Sequence, residues 1–473
     1  MSRITFGTSG WRGILCEDFT LDNIRVVTQA IADHLHAEGL ADKGLVIGYD
    51  TRFMGADFAR RTACVLAGAG IKSYFCGRDT PTPVIAHELL RRRAAGAINF
   101  TASHNPYNYN GIKFSPAWGG PALPETTGDI ERRSNEMLGE TVFSEVSQEA
   151  AAEQGLFEEI DPRQAYFETL QGLIDFPAIA ASGMKIAVNP LYGTGRGYLD
   201  TLLEQAGVPI VKINNHLDPY FGGEPPEPAE AHIADFIELI KKDATIALGI
   251  ATDGDADRFG IVDADGSYIE PNYILALLFD YMIRRKGMSG NAARSVATSQ
   301  LIDAVADYHG VEVFETPVGF KYIGEYISAD KILIGGEESA GLSIRGHVPE
   351  KDGILACLLV AEMVAVEKRS LRELLADLYS RVGEIHTRRI NIRLSPELEA
   401  ALPDKMQTPP QQIGGREITK VIRIDGNKFL FADGSWLLFR KSGTEPVVRL
   451  YAEARSRDRL ADLIKQGERF ILG

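Results

Sequence analysis

The feature that most constrains this chain is a recurring unit. An apolar strand leads into a turn and an amphipathic helix, then a glycine with a small apolar residue, then a second strand. The first copy runs through Leu45–Arg52, a helix, Gly70-Ile71 and Ser73–Gly77; the second through Lys185–Gly195, Leu199–Ala206, Gly207-Val208 and Ile210–Asn214; the third through Ala293–Ser299, Leu301–His309, Gly310-Val311 and Val313–Pro317. Strand, helix and strand at this spacing are βαβ units, which require mixed or parallel sheets with right-handed crossovers. Three such units in series predict three α/β domains of similar build. After Gly415 the pattern changes to short alternating runs, ITKVIRIDG, NKFLFADGS, WLLFRKSG and VVRLYAEA, followed by an amphipathic stretch from Arg457 to Ile471. That is an antiparallel sheet closed by a helix, an α+β domain of another kind. At ~100–200 residues per domain, four domains suit 473 residues. The expected segments are 1–140, 160–262, 263–382 and 385–473.

The connections are read from composition. Gly119–Pro124 is rich in Pro and Gly, and the acidic stretch through Glu159 reads as a surface connection containing a helix. Asp263-Ala-Asp-Gly266 reads as a hairpin turn between FGIV and SYIEP, and Leu394–Gly415 is a boundary stretch rich in Pro and Gln. The most apolar stretch, Ile354–Val366, carries Glu362 and is too short to span a bilayer, so it reads as a buried helix. A net charge of −15 argues against a nucleic-acid partner and requires that any anionic substrate meet a concentrated basic pocket. Cys16, Cys64, Cys76 and Cys357 have no CxxC spacing, and the N-terminus lacks the apolar core of a signal peptide. Both features fit a reducing, cytoplasmic setting with no membrane partner.

Five segments carry chemistry. Thr101-Ala-Ser-His-Asn-Pro106 follows the strand AGAINF, which puts Ser103 at a strand end with His104 beside it. A serine there is either an activated nucleophile or a capped turn. Asp253-Gly-Asp-Ala-Asp-Arg258 lies between two apolar strands. In an extended segment its three carboxylates share one face and call for a hard cation such as Mg²⁺, with Arg258 placed for a phosphoryl group. An EF-hand is rejected, because Arg258 and Ala264 stand where Gly and Glu are needed. Arg440-Lys-Ser-Gly-Thr-Glu-Pro446, with Arg449 beyond, offers the N–H groups and hydroxyls of Ser442, Gly443 and Thr444 between two bidentate donors, an anion nest. Gly335–Gly341 carries Glu337, Glu338 and Ser339, which suit sugar hydroxyls, a second metal site or a helix N-terminus. Lys351 downstream adds a cation or simply starts the next helix. The fifth segment, Gly7-Thr-Ser-Gly-Trp-Arg-Gly13, is a polar glycine loop bearing Arg12. Lys113 follows Ser103 at hairpin distance and is a proton-transfer candidate if neighbours lower its pKa; Lys321 has the same standing.

Taken together, FGTSGWRG, TASHNP with NGIK, DGDADR, GEESAG and RKSGTEP resemble, in that order and across nearly the whole chain, the α-D-phosphohexomutases: phosphoglucomutases, phosphomannomutases and phosphoglucosamine mutases. The resemblance implies four domains around a central cleft, one loop from each. It implies that Ser103 is phosphorylated and that Mg²⁺ is bound by Asp253, Asp255, Asp257 and the phosphoserine. Arg12, His104, Lys113 and Arg258 then form the proton-transfer and phosphoryl-stabilising group. Glu337 and Ser339 meet sugar hydroxyls, and Arg440, Ser442, Gly443, Thr444 and Arg449 hold the non-reacting phosphate, with Lys321 and Lys351 as further substrate contacts. The implied partners are small sugar phosphates, with hexose 1,6-bisphosphate as intermediate and activator, in a monomer or homodimer. TASHNP is similar to the glucose and mannose branches, and Glu338 in GEES looks like the glucose branch, although Ala340-Gly341 departs from either pattern. Two other classes compete. A Mg²⁺-dependent sugar phosphatase using an aspartate nucleophile conflicts with Asp257-Arg258, which breaks the DxDx[TV] pattern. A non-catalytic sugar-phosphate sensor conflicts with the intact Ser103 and Lys113.

Overall fold

The computed structural model describes residues 3–7, 9–139, 143–408, 410–441 and 447–473. Four sheets follow one another along the chain. The first has six strands in the order Trp11–Ile14, Tyr109–Pro116, Gly96–Phe100, Leu45–Tyr49, Ser73–Cys76, Phe157–Ile160. Its inner strands, Leu45–Tyr49 and Gly96–Phe100, are buried at every position because helices cover both faces, which is why they read as unbroken apolar runs. The second sheet orders Tyr268–Ile269, Phe259–Asp263, Ile246–Thr252, Lys185–Asn189, Ile210–Lys212, and the third Val313–Thr316, Asn291–Ser295, Ile332–Glu337, Gly341–Ile344. Each mixes parallel and antiparallel pairs. The fourth is antiparallel throughout, from His386–Arg393 through Val447–Ala454, Trp436–Lys441, Asn427–Phe431 and Arg416–Ile422 to Gln412–Ile413, with the helix Arg457–Leu472 packed on it.

The glycine of the recurring unit ends each crossover helix. Gly70, Gly207 and Gly310 have φ of 75°, 78° and 69°. The apolar residue after each donates its N–H five residues back, Ile71 to Leu66, Val208 to Leu203 and Val311 to Ala306, at 2.8–3.0 Å. This is the Schellman closure of a helix C-terminus, where a left-handed residue lets the chain turn back toward the sheet. A Cβ at any of the three would meet open space, so the backbone conformation alone selects glycine.

The helix Gly353–Glu367 joins the second and third sheets into one core. It touches Ile246–Thr252 and Phe259–Asp263 on one side and Gly341–Ile344 and the helix Pro271–Arg284 on the other. Burial on all sides explains a helix that is apolar around its whole circumference. Glu362 inside it accepts from Lys286 Nζ at 2.6 Å, Tyr281 Oη at 2.8 Å and the Asp175 N–H at 2.7 Å, so its buried charge is paired and hydrogen-bonded.

Four stretches differ from the sequence reading. Phe157–Ile160 is a strand of the first sheet, parallel to Ser73–Cys76, so the acidic connection is partly structural. Tyr268–Ile269 pairs with Phe259–Asp263, which keeps the Asp263–Gly266 hairpin inside the second sheet and carries that sheet past residue 262. Pro396–Gln407, inside the Pro- and Gln-rich boundary stretch, is a helix, capped by Ser395 Oγ and opened by a proline at its first turn. His386–Arg393 is an additional strand of the fourth sheet.

Candidate active site

Ser103 sits just past the strand Gly96–Phe100, with φ of 52°, a left-handed conformation rare for a residue with a side chain. Its N–H donates to Thr101 Oγ1 at 2.8 Å. Its hydroxyl donates to Asp253 Oδ2 at 2.8 Å and lies 3.4 Å from His104 Nδ1. The serine loop of the first domain and the aspartate loop of the second, 150 residues apart in sequence, are therefore in contact.

The three aspartates converge for a reason other than strand alternation. Asp253–Arg258 is a tight turn between the strands Ile246–Thr252 and Phe259–Asp263; Ala256 is left-handed at φ of 55° and its N–H bonds to the Asp253 carbonyl. One oxygen from each aspartate lies within 4.8 Å of the others, and all three residues are buried. Asp253 takes the Arg258 N–H on Oδ1 at 3.0 Å and Ser103 on Oδ2. Asp255 Oδ2 takes Lys113 Nζ at 2.5 Å and Thr82 Oγ1; Asp257 Oδ2 takes Lys113 Nζ at 2.8 Å and Lys351 Nζ at 3.1 Å. That leaves Asp255 Oδ1 and Asp257 Oδ1 buried with no hydrogen-bond partner. Two orphaned anionic oxygens beside a hydroxyl form an all-oxygen donor set, which fits a small hard divalent cation.

The electrostatics are tightly coupled. Burial, reinforced by Asp255 and Asp257, pushes the Asp253 carboxyl well above its ordinary range. At Asp257 burial is outweighed by Lys113, Lys351 and Arg258, which hold the carboxylate well below that range. Lys113 and Lys351 are both raised, because the carboxylates they face overcome burial. Lys113 thus remains an ammonium in this arrangement, opposite to the lowering that a lysine base requires. Arg258 and burial push His104 well below 6.5, so the ring is neutral. Arg12, whose Nη1 donates to Asn105 Oδ1 at 2.5 Å, is lowered to about 10 by burial and by Arg258.

Glu337 ends the strand Ile332–Glu337, accepts from the Gly319 N–H at 2.7 Å and is pushed up to about 7 by burial and by Glu338. Glu338 is held by Ser295 and Thr298 and lines, with Ser339, Arg258, Arg389, Trp436 and Tyr451, a cavity of about 380 Å³. Lys351 reaches the aspartates, whereas Lys321 does not. Lys321 lies half-buried over the ring of Tyr322. Arg440 and Arg449 are directly opposed partners on adjacent strands, and Arg440 Nε donates to Asp425 Oδ2 at 2.8 Å. Ser442, Gly443 and Thr444, expected beside them, lie outside the described residues.

The phosphoglucomutase/phosphomannomutase family matches in four consecutive segments: α/β/α domain I over residues 3–138, domain II over 164–266, domain III over 270–382 and the C-terminal domain over 390–467. The chain belongs to this family. A phosphoglucomutase of Komagataeibacter xylinus is 31% identical, covering 96% of this chain and 87% of the relative. A phosphoglucomutase/phosphomannomutase of Thermococcus kodakarensis is 30% identical, covering 98% of each. Among solved structures, a Paramecium phosphoglucomutase, parafusin, in an open form superposes with a TM-score of 0.84 at 25% identity over 99% of this chain and 95% of its own. The protein is a phosphohexomutase, an intramolecular phosphotransferase. No helix among the described residues is long and apolar enough to cross a membrane.

Three parts of this phosphohexomutase site escaped sequence reasoning. Arg52 is buried beneath the serine loop. Thr82 binds Asp255 from the first position of the helix Thr82–Arg92. The proline-rich loop Glu224–Ala231 packs on the aspartate turn, with the Gly254 N–H bonding to the Pro226 carbonyl at 3.2 Å, and lines the cavity through Glu227 and Glu230. Its Pro-Glu composition was a loop signal, but nothing local marked it as adjacent to the aspartates.

Proposed function

We propose that this phosphohexomutase interconverts hexose 1-phosphate and hexose 6-phosphate, with glucose preferred, through a phosphoserine at Ser103 and a hexose 1,6-bisphosphate intermediate. The observation that carries this reading is the 2.8 Å contact between Ser103 Oγ and Asp253, within a buried cluster that has two unpartnered carboxylate oxygens. Asp253, Asp255, Asp257 and the phosphoserine would hold Mg²⁺, whose charge offsets that of the transferring phosphoryl oxygens. In the forward half, the bond between phosphorus and Ser103 Oγ breaks and one to a sugar hydroxyl forms; the second half reverses this at the other end of the sugar. His104, neutral here, is the group placed to take and return the hydroxyl proton; Lys113 stays an ammonium against the aspartates, and Arg12 and Arg258 face the phosphoryl oxygens. Positioning and charge account for most of such a transfer.

Glu337 and Ser339 take sugar hydroxyls, with Lys351 at the aspartate side and Lys321 as a further substrate contact. Arg440 and Arg449, with Ser442, Gly443 and Thr444, take the non-reacting phosphate. Thr101 opening the serine loop is shared by the glucose and mannose branches, and the preference for glucose rests on Glu338 in the GEES run and on the phosphoglucomutase name of a relative. The test is Ser103→Ala assayed on glucose 1-phosphate with a bisphosphate activator, beside wild type on mannose 1-phosphate. Loss of turnover in the variant and faster turnover of glucose support the reading. Normal activity in the variant removes Ser103 from the chemistry, and release of inorganic phosphate by wild type makes the protein a phosphatase.

A further inference from the structure

One buried cation has no part in the steps above. Arg52 follows the strand Leu45–Tyr49, and its side chain is wholly excluded from solvent. All five of its side-chain N–H donors are spent. Nε donates to Asp50 Oδ2 at 3.0 Å; Nη1 donates to the carbonyls of Pro106 at 2.8 Å and Tyr109 at 3.0 Å; Nη2 donates to those of Ser103 and Asn105 at 2.7 Å each. Four of the five acceptors are main-chain oxygens of a single segment, the loop that presents Ser103. The guanidinium is covered by the ring of Phe221, 4.9 Å away, which comes from the chain linking the second sheet's edge strand to its proline-rich loop.

The Ser103 carbonyl is pinned from two sides. Arg52 donates to it, and a Cβ on Gly254 of the aspartate turn would lie 2.8 Å from it, so only glycine admits that approach. Ser103 itself sits in the left-handed region, a conformation that persists only where its surroundings enforce it. A buried ion pair is weak evidence for stability, since desolvation offsets much of the attraction. A fork of five fixed donors is well suited to holding a loop in one shape, and a lysine's three donors on a flexible stem are not.

We propose that Arg52, oriented by Asp50, is a positioning residue for the phosphoryl transfer: it fixes the carbonyls of the Ser103 loop so that the serine oxygen stays aimed at the aspartate cluster. This rests on the phosphoserine reading, and the experiment separates the two. Arg52→Lys is measured in the full chain for turnover of glucose 1-phosphate and for backbone hydrogen exchange. A loop displaced by about 1 Å is expected to lower kcat about 100-fold while KM stays within about threefold, because the phosphate-binding strands of the last domain are untouched. Exchange protection over residues 103–111 is expected to fall at least about tenfold while strands 45–49 and 96–100 keep theirs. Unchanged kcat, unchanged exchange, or a loss confined to KM each overturns the proposal. If wild type takes no phosphate onto Ser103 from glucose 1,6-bisphosphate, the phosphoserine reading fails and the exchange result alone decides on Arg52. Should Arg52→Lys not fold, Asp50→Asn combined with Arg52→Gln, which leaves no lone buried charge, is read by the same two measurements.

Discussion

Glu337 offers a direct test of the electrostatics. Its carboxyl is 4% exposed and is pushed from 4.5 to about 7, first by burial and then by Glu338. A carboxyl whose pKa is higher in the folded state contributes stability below its unfolded pKa and loses it as pH rises through the folded value. Relative to a permanently neutral group, Glu337 therefore lowers stability by about 1 kcal/mol at pH 5 and about 3 kcal/mol at pH 8. Glu337→Gln keeps an oxygen for the Gly319 N–H and removes the titration. Its amide adds a cost of its own, but that cost is independent of pH and cancels when the two conditions are compared. The stability of the variant minus that of wild type should rise by about 2 kcal/mol between pH 5 and pH 8. Denaturant unfolding of both proteins at both pH values, followed by hydrogen exchange of the strand Ile332–Glu337 to assign the change to the third sheet, provides the measurement. A difference that is flat with pH, or that falls, would show that Glu337 is not held neutral by its surroundings.

Three further outcomes follow from the geometry. A Cβ at residue 353 would lie 2.2 Å from the Arg258 carbonyl, so Gly353→Ala should displace the aspartate turn and weaken Mg²⁺ binding at least about tenfold by calorimetry; undiminished affinity counts against the packing. Lys428, wholly buried where the third and fourth sheets meet, donates to the Val296 carbonyl at 2.9 Å and lies over Trp436. Lys428→Met should cost about 2 kcal/mol in chemical denaturation, as Val296 is left without a donor, and unchanged stability refutes that account. Phosphorylated protein should bind Mg²⁺ at least about tenfold more tightly than the dephosphorylated form, a coupling of ordinary size between two charged ligands; equal affinities would separate the serine from the cation site.

What the sequence made legible depended on the range of the interactions involved. The crossover helices could be read because their end signal is local: a left-handed glycine and an apolar residue closing a six-residue turn at 70, 207 and 310. The identity of the aspartates was legible too, but their geometry was not. Alternation in an extended segment and a turn built on left-handed Ala256 both bring carboxylates together, and only the turn allows Gly254 to pack against Ser103. Arg52 left no trace, since four of its five acceptors are carbonyls more than fifty residues away and any residue supplies a carbonyl. The helix Pro396–Gln407 was hidden by its prolines, although Ser395-Pro396 is itself a helix-start signal, with the serine as cap and the proline at the first position. The strand His386–Arg393 was hidden by four basic side chains, His386, Arg388, Arg389 and Arg393, among its eight residues.

The charges around Ser103 have a physical logic that single residues do not reveal. Three buried aspartates stand among Arg12, Lys113, Arg258 and Lys351, so carboxylates and cations nearly balance before anything binds. A divalent cation alone would add two positive charges to that pocket, and a phosphoserine dianion alone two negative ones. In a buried site either imbalance is costly, because water is not there to screen it. Arriving together, the two would cancel, and the balance set by the side chains would be preserved throughout the proposed transfer. The same reasoning accounts for the number of cations: without Lys113 and Lys351, burial and mutual repulsion would drive the aspartates to take up protons, as at Asp253, which is raised first by burial and then by Asp255 and Asp257, and a protonated carboxyl is a poor ligand for a hard cation. The lysines thus keep Asp255 and Asp257 ionised, each with one oxygen committed to an ammonium and one without a hydrogen-bond partner.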